Sequence, residues 1–268
     1  MRKIRSRIKS GSGLLCVVAL AISAFGIGTF AQVSAPAQPS PNVQAPAAST
    51  PSVEQILDKY LAASGGRVAW QKLNTRVSTG TVDVPAMNVA GTVEMREKAP
   101  RRILVTVTIS GAVFTQGFDG TVGWSNDPQN GVREQTGPEL AETRRDADFY
   151  HPLDMHTLYS KFKVLGAENV GEHLTYMMEA TPADGGDPDK LYFAADTGLL
   201  VRAISQHHSP EGVDSIQEDF GDYRTVDGIQ MPFSIHQTSP QMDFTIKIDE
   251  VHHNVALDDA QFSKPAAQ

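Results

Sequence analysis

The chain has 268 residues, 23 Lys and Arg against 31 Asp and Glu, and a single cysteine. It is long enough to bury one good-sized core. Its formal net charge of −8 argues against nucleic acid, where affinity rests on Lys and Arg at phosphates, and against anionic membrane surfaces.

Those charges are unevenly placed. Arg2, Lys3, Arg5, Arg7 and Lys9 form a basic start with no acidic residue. Residues 14–30 are then almost wholly apolar or small, and Thr29-Phe30-Ala31 sets small residues where a signal peptidase reads. This order predicts a signal peptide over 1–31, hence export and a periplasmic location. The alternative is an uncleaved N-terminal anchor facing the periplasm, for which the apolar run is short. Removal of those five cations takes the net charge from −8 to −13. Cys16 lies inside this segment, preceded by Leu15 where a lipid-attachment site wants a small residue. The mature chain then has no disulfide and no thiol chemistry.

Residues 32–51 carry Pro36, Pro39, Pro41, Pro46 and Pro51 among Ala, Ser and Gln, without periodicity. They read as a disordered Pro/Ala-rich linker. The folded domain is expected over 52–268. Ser52-Val53-Glu54-Gln55 is a capping box, Val53, Ile56, Leu57, Tyr60 and Leu61 recur at helical spacing, and Gly65-Gly66 stops the helix. A short helical turn is expected around Val68 to Leu73.

From Thr75 the period becomes two. Val89, Val93 and Met95 lie on one face of a strand, and Ile103, Val105, Val107 and Ile109 on one face of the next. Leu174, Tyr176, Met178 and Ala180 repeat the pattern, as do Phe244, Ile246 and Ile248. Each reads as a strand with one buried face. Asp196-Thr197-Gly198, Asp227-Gly228 and Ser239-Pro240 punctuate them as turns, and the short spacing predicts antiparallel pairing. Residues 137–161 interrupt the strands with one or two short amphipathic helices around Pro152, carrying Leu140, Phe149, Leu153, Met155 and Leu158. The fold class is therefore mainly β. A sheet of about ten strands must curl to hide its apolar face. The expected architecture is a curved antiparallel sheet forming an incomplete β-barrel, with an N-terminal helix and inserted helices capping the concave side.

Several motifs invite chemistry. His207-His208 and His252-His253 lack the helical i, i+4 spacing of a His-Glu-x-x-His metal site, so no metal is expected. His151 and His156 fall on the inserted helices. Asp184-Gly185-Gly186-Asp187-Pro188-Asp189 is an acidic turn without the closing Glu of an EF-hand loop. Asp214, Glu218, Asp219 and Asp222 offer paired carboxylates of the kind glycoside hydrolysis uses. With no sugar-stacking aromatic cluster beside them, they read as an exposed strand. No nucleophile elbow and no phosphate loop occur in the sequence.

The spacing of several segments resembles the outer-membrane lipoprotein carrier family (LolA/LolB-like) and its broader lipoprotein-sorting relatives. The segments are Gly91 to Pro100, Phe118-Asp119-Gly120-Thr121-Val122-Gly123-Trp124 with Asp127-Pro128, Asp196 to Arg202, Asp222-Tyr223 with Val226 to Pro232, and a closing set of Asn254, Asp258, Asp259, Phe262 and Pro265. Tyr60, Gly65, Gly66 and Trp70 fit the opening helix. The resemblance spans about 53–265. It implies an incomplete barrel with helices in its mouth, no catalysis and no cofactor. It also implies a lipid or lipoprotein acyl chain as partner, passed between membrane-associated donor and acceptor proteins. Carriers of the best-known type place a basic residue directly before the strand-turn proline; here Ala99 precedes Pro100.

Together these readings place the expected ligand-binding surface on Val89, Val93, Met95, Ile103, Val105, Val107, Phe118, Trp124, Tyr176, Met178, Phe244 and Ile246, with Phe149, Leu153, Met155 and Leu158 as a lid. A second reading keeps the scaffold but fills the cavity with the protein's own side chains, making it an envelope interaction or sensing module.

Overall fold

The computed structural model describes residues 50–210 and 212–266. The signal peptide and almost all of the linker expected from the sequence lie outside them. Among the described residues, no helix is long and apolar enough to cross a membrane.

The chain opens with α1 (Val53–Ala63), and both arms of its capping box form. The Gln55 amide donates to Ser52 Oγ at 3.2 Å, and the Ser52 amide to Gln55 Oε1 at 2.8 Å. A short α2 (Gly66–Trp70) follows. Gly65 sits at φ +116°, and a Cβ there would lie 2.4 Å from the Gly228 carbonyl oxygen. Only glycine lets the helix pair approach the sheet this closely.

The strands come in two runs. β1 (Thr75–Val84), β2 (Val89–Lys98), β3 (Arg102–Ile109), β4 (Ala112–Phe118), β5 (Gly123–Asp127) and β6 (Gly131–Glu134) form the first. Then α3 (Gly137–Asp146) and α4 (His151–Leu158) interrupt, as the composition predicts. Pro152 stands in the first turn of α4, where it needs no amide partner, and the break between the helices falls at 147–150. β7 (Tyr159–Val170), β8 (His173–Pro182), β9 (Asp189–Ala194), β10 (Leu200–Ser209), β11 (Gly212–Val226), β12 (Ile229–Thr238) and β13 (Asp243–His253) complete the chain.

All pair antiparallel in one 13-stranded sheet, ordered β6-β5-β4-β3-β2-β1-β13-β12-β11-β10-β9-β8-β7. The last strand docks on the first, so the open edges are β6 and β7. These two edges are consecutive in the chain, and α3 and α4 are what joins them. The protein is mainly β, and its sheet is an incomplete barrel.

A sheet this wide does not share one core. One cluster unites Trp70 and Phe149 with the inward residues of β1 to β4, β12 and β13, including Val82, Val93, Val105, Phe118, Phe244 and Ile246. A second unites Ile56, Leu57 and Tyr60 of α1 with Met155 and Leu158 of α4 and with Met178, Leu191 and Phe193. The candidate site lies between them.

Candidate ligand cavity

A cavity of about 300 Å³ opens between the two core clusters. Tyr60, Ser64 and Trp70 reach it from α1, α2 and their junction, and Met95, Met231, Ile235 and Ile248 from the sheet of the first cluster. Leu191, Leu200, Ala203 and Ile216 line the side of β9 to β11. Glu142, Arg145 and Asp146 enter from α3, Phe149 from the break before α4, and His151 and Pro152 from the first turn of α4. The helices that bridge the open edges thus form one wall.

The wall is more polar than the sequence predicts. Six carboxylates (Glu97, Glu142, Asp146, Asp148, Asp189 and Glu218) line it against two guanidiniums, Arg76 and Arg145. Both guanidiniums are already engaged. Arg76 and Glu97 face each other across β1 and β2 and form a two-pronged pair at 2.5 Å, with Arg76 also lying 5.5 Å from the Phe149 ring centre. Arg145 is buried. It stands 3.5 Å from Asp184 Oδ1 and 3.8 Å from Asp189 Oδ2, with its guanidinium 5.9 Å from the Tyr159 ring centre. Burial works against its charge, but Asp146, Asp189, Tyr159 and Asp184 outweigh that and hold its pKa above the ordinary value. The Tyr159 hydroxyl donates to Asp189 Oδ2 at 2.9 Å. The acidic turn of the sequence is therefore a latch for α3, holding it through Asp184 and Asp189.

Glu218 is different. On β11, Asp219 accepts from Arg202, Asp222 from Arg224 and Asp214 from Gln241. Those three behave as residues of a solvated strand. Glu218 instead faces the cavity between Ile216 and Phe220, and no hydrogen bond or ion pair reaches its carboxyl among the described residues. Its strand neighbours are Ala203 and Gln237. Burial pushes its pKa up to about 8, and the negative charges of Asp146 and Asp189 push in the same direction. Reading Glu218 as part of an exposed strand is therefore corrected. The signal was available: in Ile216, Glu218, Phe220 the acid occupies the apolar parity of its strand.

The histidines are also sorted. His207 is buried, with Nδ1 2.9 Å from Glu142 Oε2 but poorly aligned for a hydrogen bond, and its Nε2 has no partner. His208 Nδ1 lies 2.6 Å from Glu142 Oε1. Burial, helped by Arg145, lowers the pKa of His151 to about 4, with Asp154 opposing, so it is neutral near pH 7. His156 packs edge-on against Phe162 outside the cavity, and His252 and His253 pair with Glu250 and Asp227. Among the described residues, no group of three His, Cys, Asp or Glu is placed to hold a metal ion.

Of the sixteen residues expected to bind ligand, Met95 and Phe149 line this cavity. Val93, Ile103, Val105, Val107, Phe118, Phe244 and Ile246 lie in the first core cluster, with Val89 and Leu153 packed at its margin. Met155, Leu158 and Met178 lie in the second, with Tyr176 beside it. Trp124 is on the other face of the sheet. It pairs with Gly117 while Phe118 pairs with Gly123, and its indole donates to the Phe262 carbonyl oxygen at 2.9 Å. The cavity face of α3 is polar, carrying Glu142, Arg145 and Asp146.

No family model matches the chain. No curated protein matches it either. Among solved structures, it is similar to a DUF1329 family protein from Desulfovibrio piger, at 16% identity and TM-score 0.53, over 80% of this chain and 98% of that one. It is similar to an outer membrane lipoprotein-sorting protein domain from Vibrio parahaemolyticus, at 12% identity and TM-score 0.50, over 78% and 94%. It is also similar to the LolA superfamily protein NE2245 from Nitrosomonas europaea, at 14% identity and TM-score 0.50, over 80% and 99%. At such identities the likeness is one of fold, and it agrees with the open sheet and its bridging helices: the chain has a LolA-like fold.

Proposed function

We propose that this protein is a non-catalytic carrier of the bacterial envelope that holds a lipid or lipoprotein acyl chain in the cavity between its two core clusters. The observation that carries the reading is the cavity itself, in a sheet whose open edges are bridged, among the described residues, by α3 and α4. Its volume of about 300 Å³ is at the lower end of ordinary ligand sites, which suits one chain. Each buried methylene is worth about 0.8 kcal/mol, so the apolar wall of Trp70, Met95, Leu191 and Ile235 gives affinity without strong polar contacts. The basic, apolar and small segments of residues 1–31 support export to the periplasm, where such a carrier would take cargo from one membrane-associated partner and yield it to another. The lipoprotein-sorting description of the Vibrio protein supports the same reading.

The second reading, an interaction or sensing module, draws on one specific observation. Most of the apolar residues expected to face ligand are instead packed in the two clusters, so the protein's own side chains fill much of the concave side.

Uptake of a fluorescent fatty-acyl probe separates the two. The carrier reading predicts saturable binding that Ala203→Trp, which fills the cavity from β10, reduces about tenfold or more. A protein that takes up no probe, or whose uptake Ala203→Trp leaves unchanged, favours the module.

A further inference from the structure

We infer that the ligand of this cavity carries a cationic amino group beside its apolar chain, and that Glu218 receives the ammonium. This rests on the carrier reading and names the chemical class of its cargo.

Three independent features lead there. First, the cavity is charged in one direction. Its two guanidiniums are held by carboxylates, Arg76 by Glu97 and Arg145 by Asp184 and Asp189. An anionic headgroup would have to break these pairs, whereas an ammonium enters a wall that carries six carboxylates against two guanidiniums.

Second, Glu218 stands without a hydrogen bond or ion pair among the described residues, although its three acidic neighbours on β11 each have one. The charges that bear on it, Asp146 from α3 and Asp189 from β9, are negative. Ala203 beside it across the ladder leaves room for a headgroup. A half-buried acid beside two like charges is costly to ionise alone, and an incoming cation supplies a counter-charge.

Third, His207 is 2% exposed, lines the same cavity and has an orphan Nε2. It shares a sheet face with Glu218, roughly 13 Å further along the strands. Its Nε2 is thus a second polar atom on the cavity wall that meets no hydrogen-bond partner among the described residues.

The test is calorimetric titration of the purified protein at pH 7.5 with three probes of equal chain length: dodecylamine, dodecanol and dodecanoate. The inference predicts that the amine binds about tenfold tighter than the carboxylate, and that Glu218→Gln collapses that preference to about threefold or less. Retention of the fold in the variant is checked by its melting transition. Equal or tighter binding of dodecanoate overturns the inference, as does an amine preference that survives Glu218→Gln. If the alcohol and carboxylate bind without an amine preference, the carrier reading stands and this inference fails. If none of the three binds, both fail together.

Discussion

Arg145 of α3 and Asp189 of β9 stand 3.8 Å apart, both buried, with the Tyr159 hydroxyl donating to the same Asp189 oxygen. This contact ties the helices bridging the open edges to the far half of the sheet. Arg145→Ala leaves Asp189 buried and uncompensated, its pKa already raised by burial. Breaking such a pair costs about 3–5 kcal/mol. The expected outcome is a loss of that order in denaturant midpoint experiments. A smaller loss is expected for Arg145→Ala with Asp189→Asn, because the stranded charge is then gone.

Glu218 makes stability depend on pH in an unusual sense. Its pKa is pushed up from 4.5 to about 8 by burial and by Asp146 and Asp189, the charged groups that bear on it. The native state therefore holds this proton more tightly than the unfolded chain. Its contribution is fully present below about pH 4.5 and is lost as pH rises through 8. Glu218→Gln is expected to match the native protein near pH 4.5 and to exceed it at pH 9, by on the order of 2 kcal/mol. Thermal melts at the two pH values check this.

Gly117 and Trp124 face each other across β4 and β5. A Cβ at Gly117 would lie 2.5 Å from the indole. Gly117→Ala is expected to cost about 1–3 kcal/mol by overpacking. It also lifts Trp124 from the Phe262 carbonyl, so the C-terminal segment gains earlier amide exchange. Hydrogen exchange over 259–262 checks that second effect.

Much of this architecture is legible in the sequence, because it follows from local rules. Ser52 and Gln55 announce α1, and the parity of Val93, Met95, Val105 and Val107 announces strands with one buried face. The site is less legible. Parity says which residues of one strand share a face, but not how far the sheet curls or where two core clusters part. Phe118 and Trp124 both read as ligand-facing, yet pairing through Gly117 and Gly123 sends them to opposite faces. Glu218 reads as solvated because its neighbours are acidic, although its place between Ile216 and Phe220 marks the inward side. Arg145 becomes part of the wall only through Asp184 and Asp189, which are distant in sequence.

The central claim is that the cavity holds an acyl chain, and native mass spectrometry of the protein isolated from its own cell envelope, with extraction of any adduct, tests it most directly. The account predicts an adduct of lipid size that is depleted in Ala203→Trp. A clean unliganded mass for the native protein, with no uptake of an added acyl probe, would contradict it.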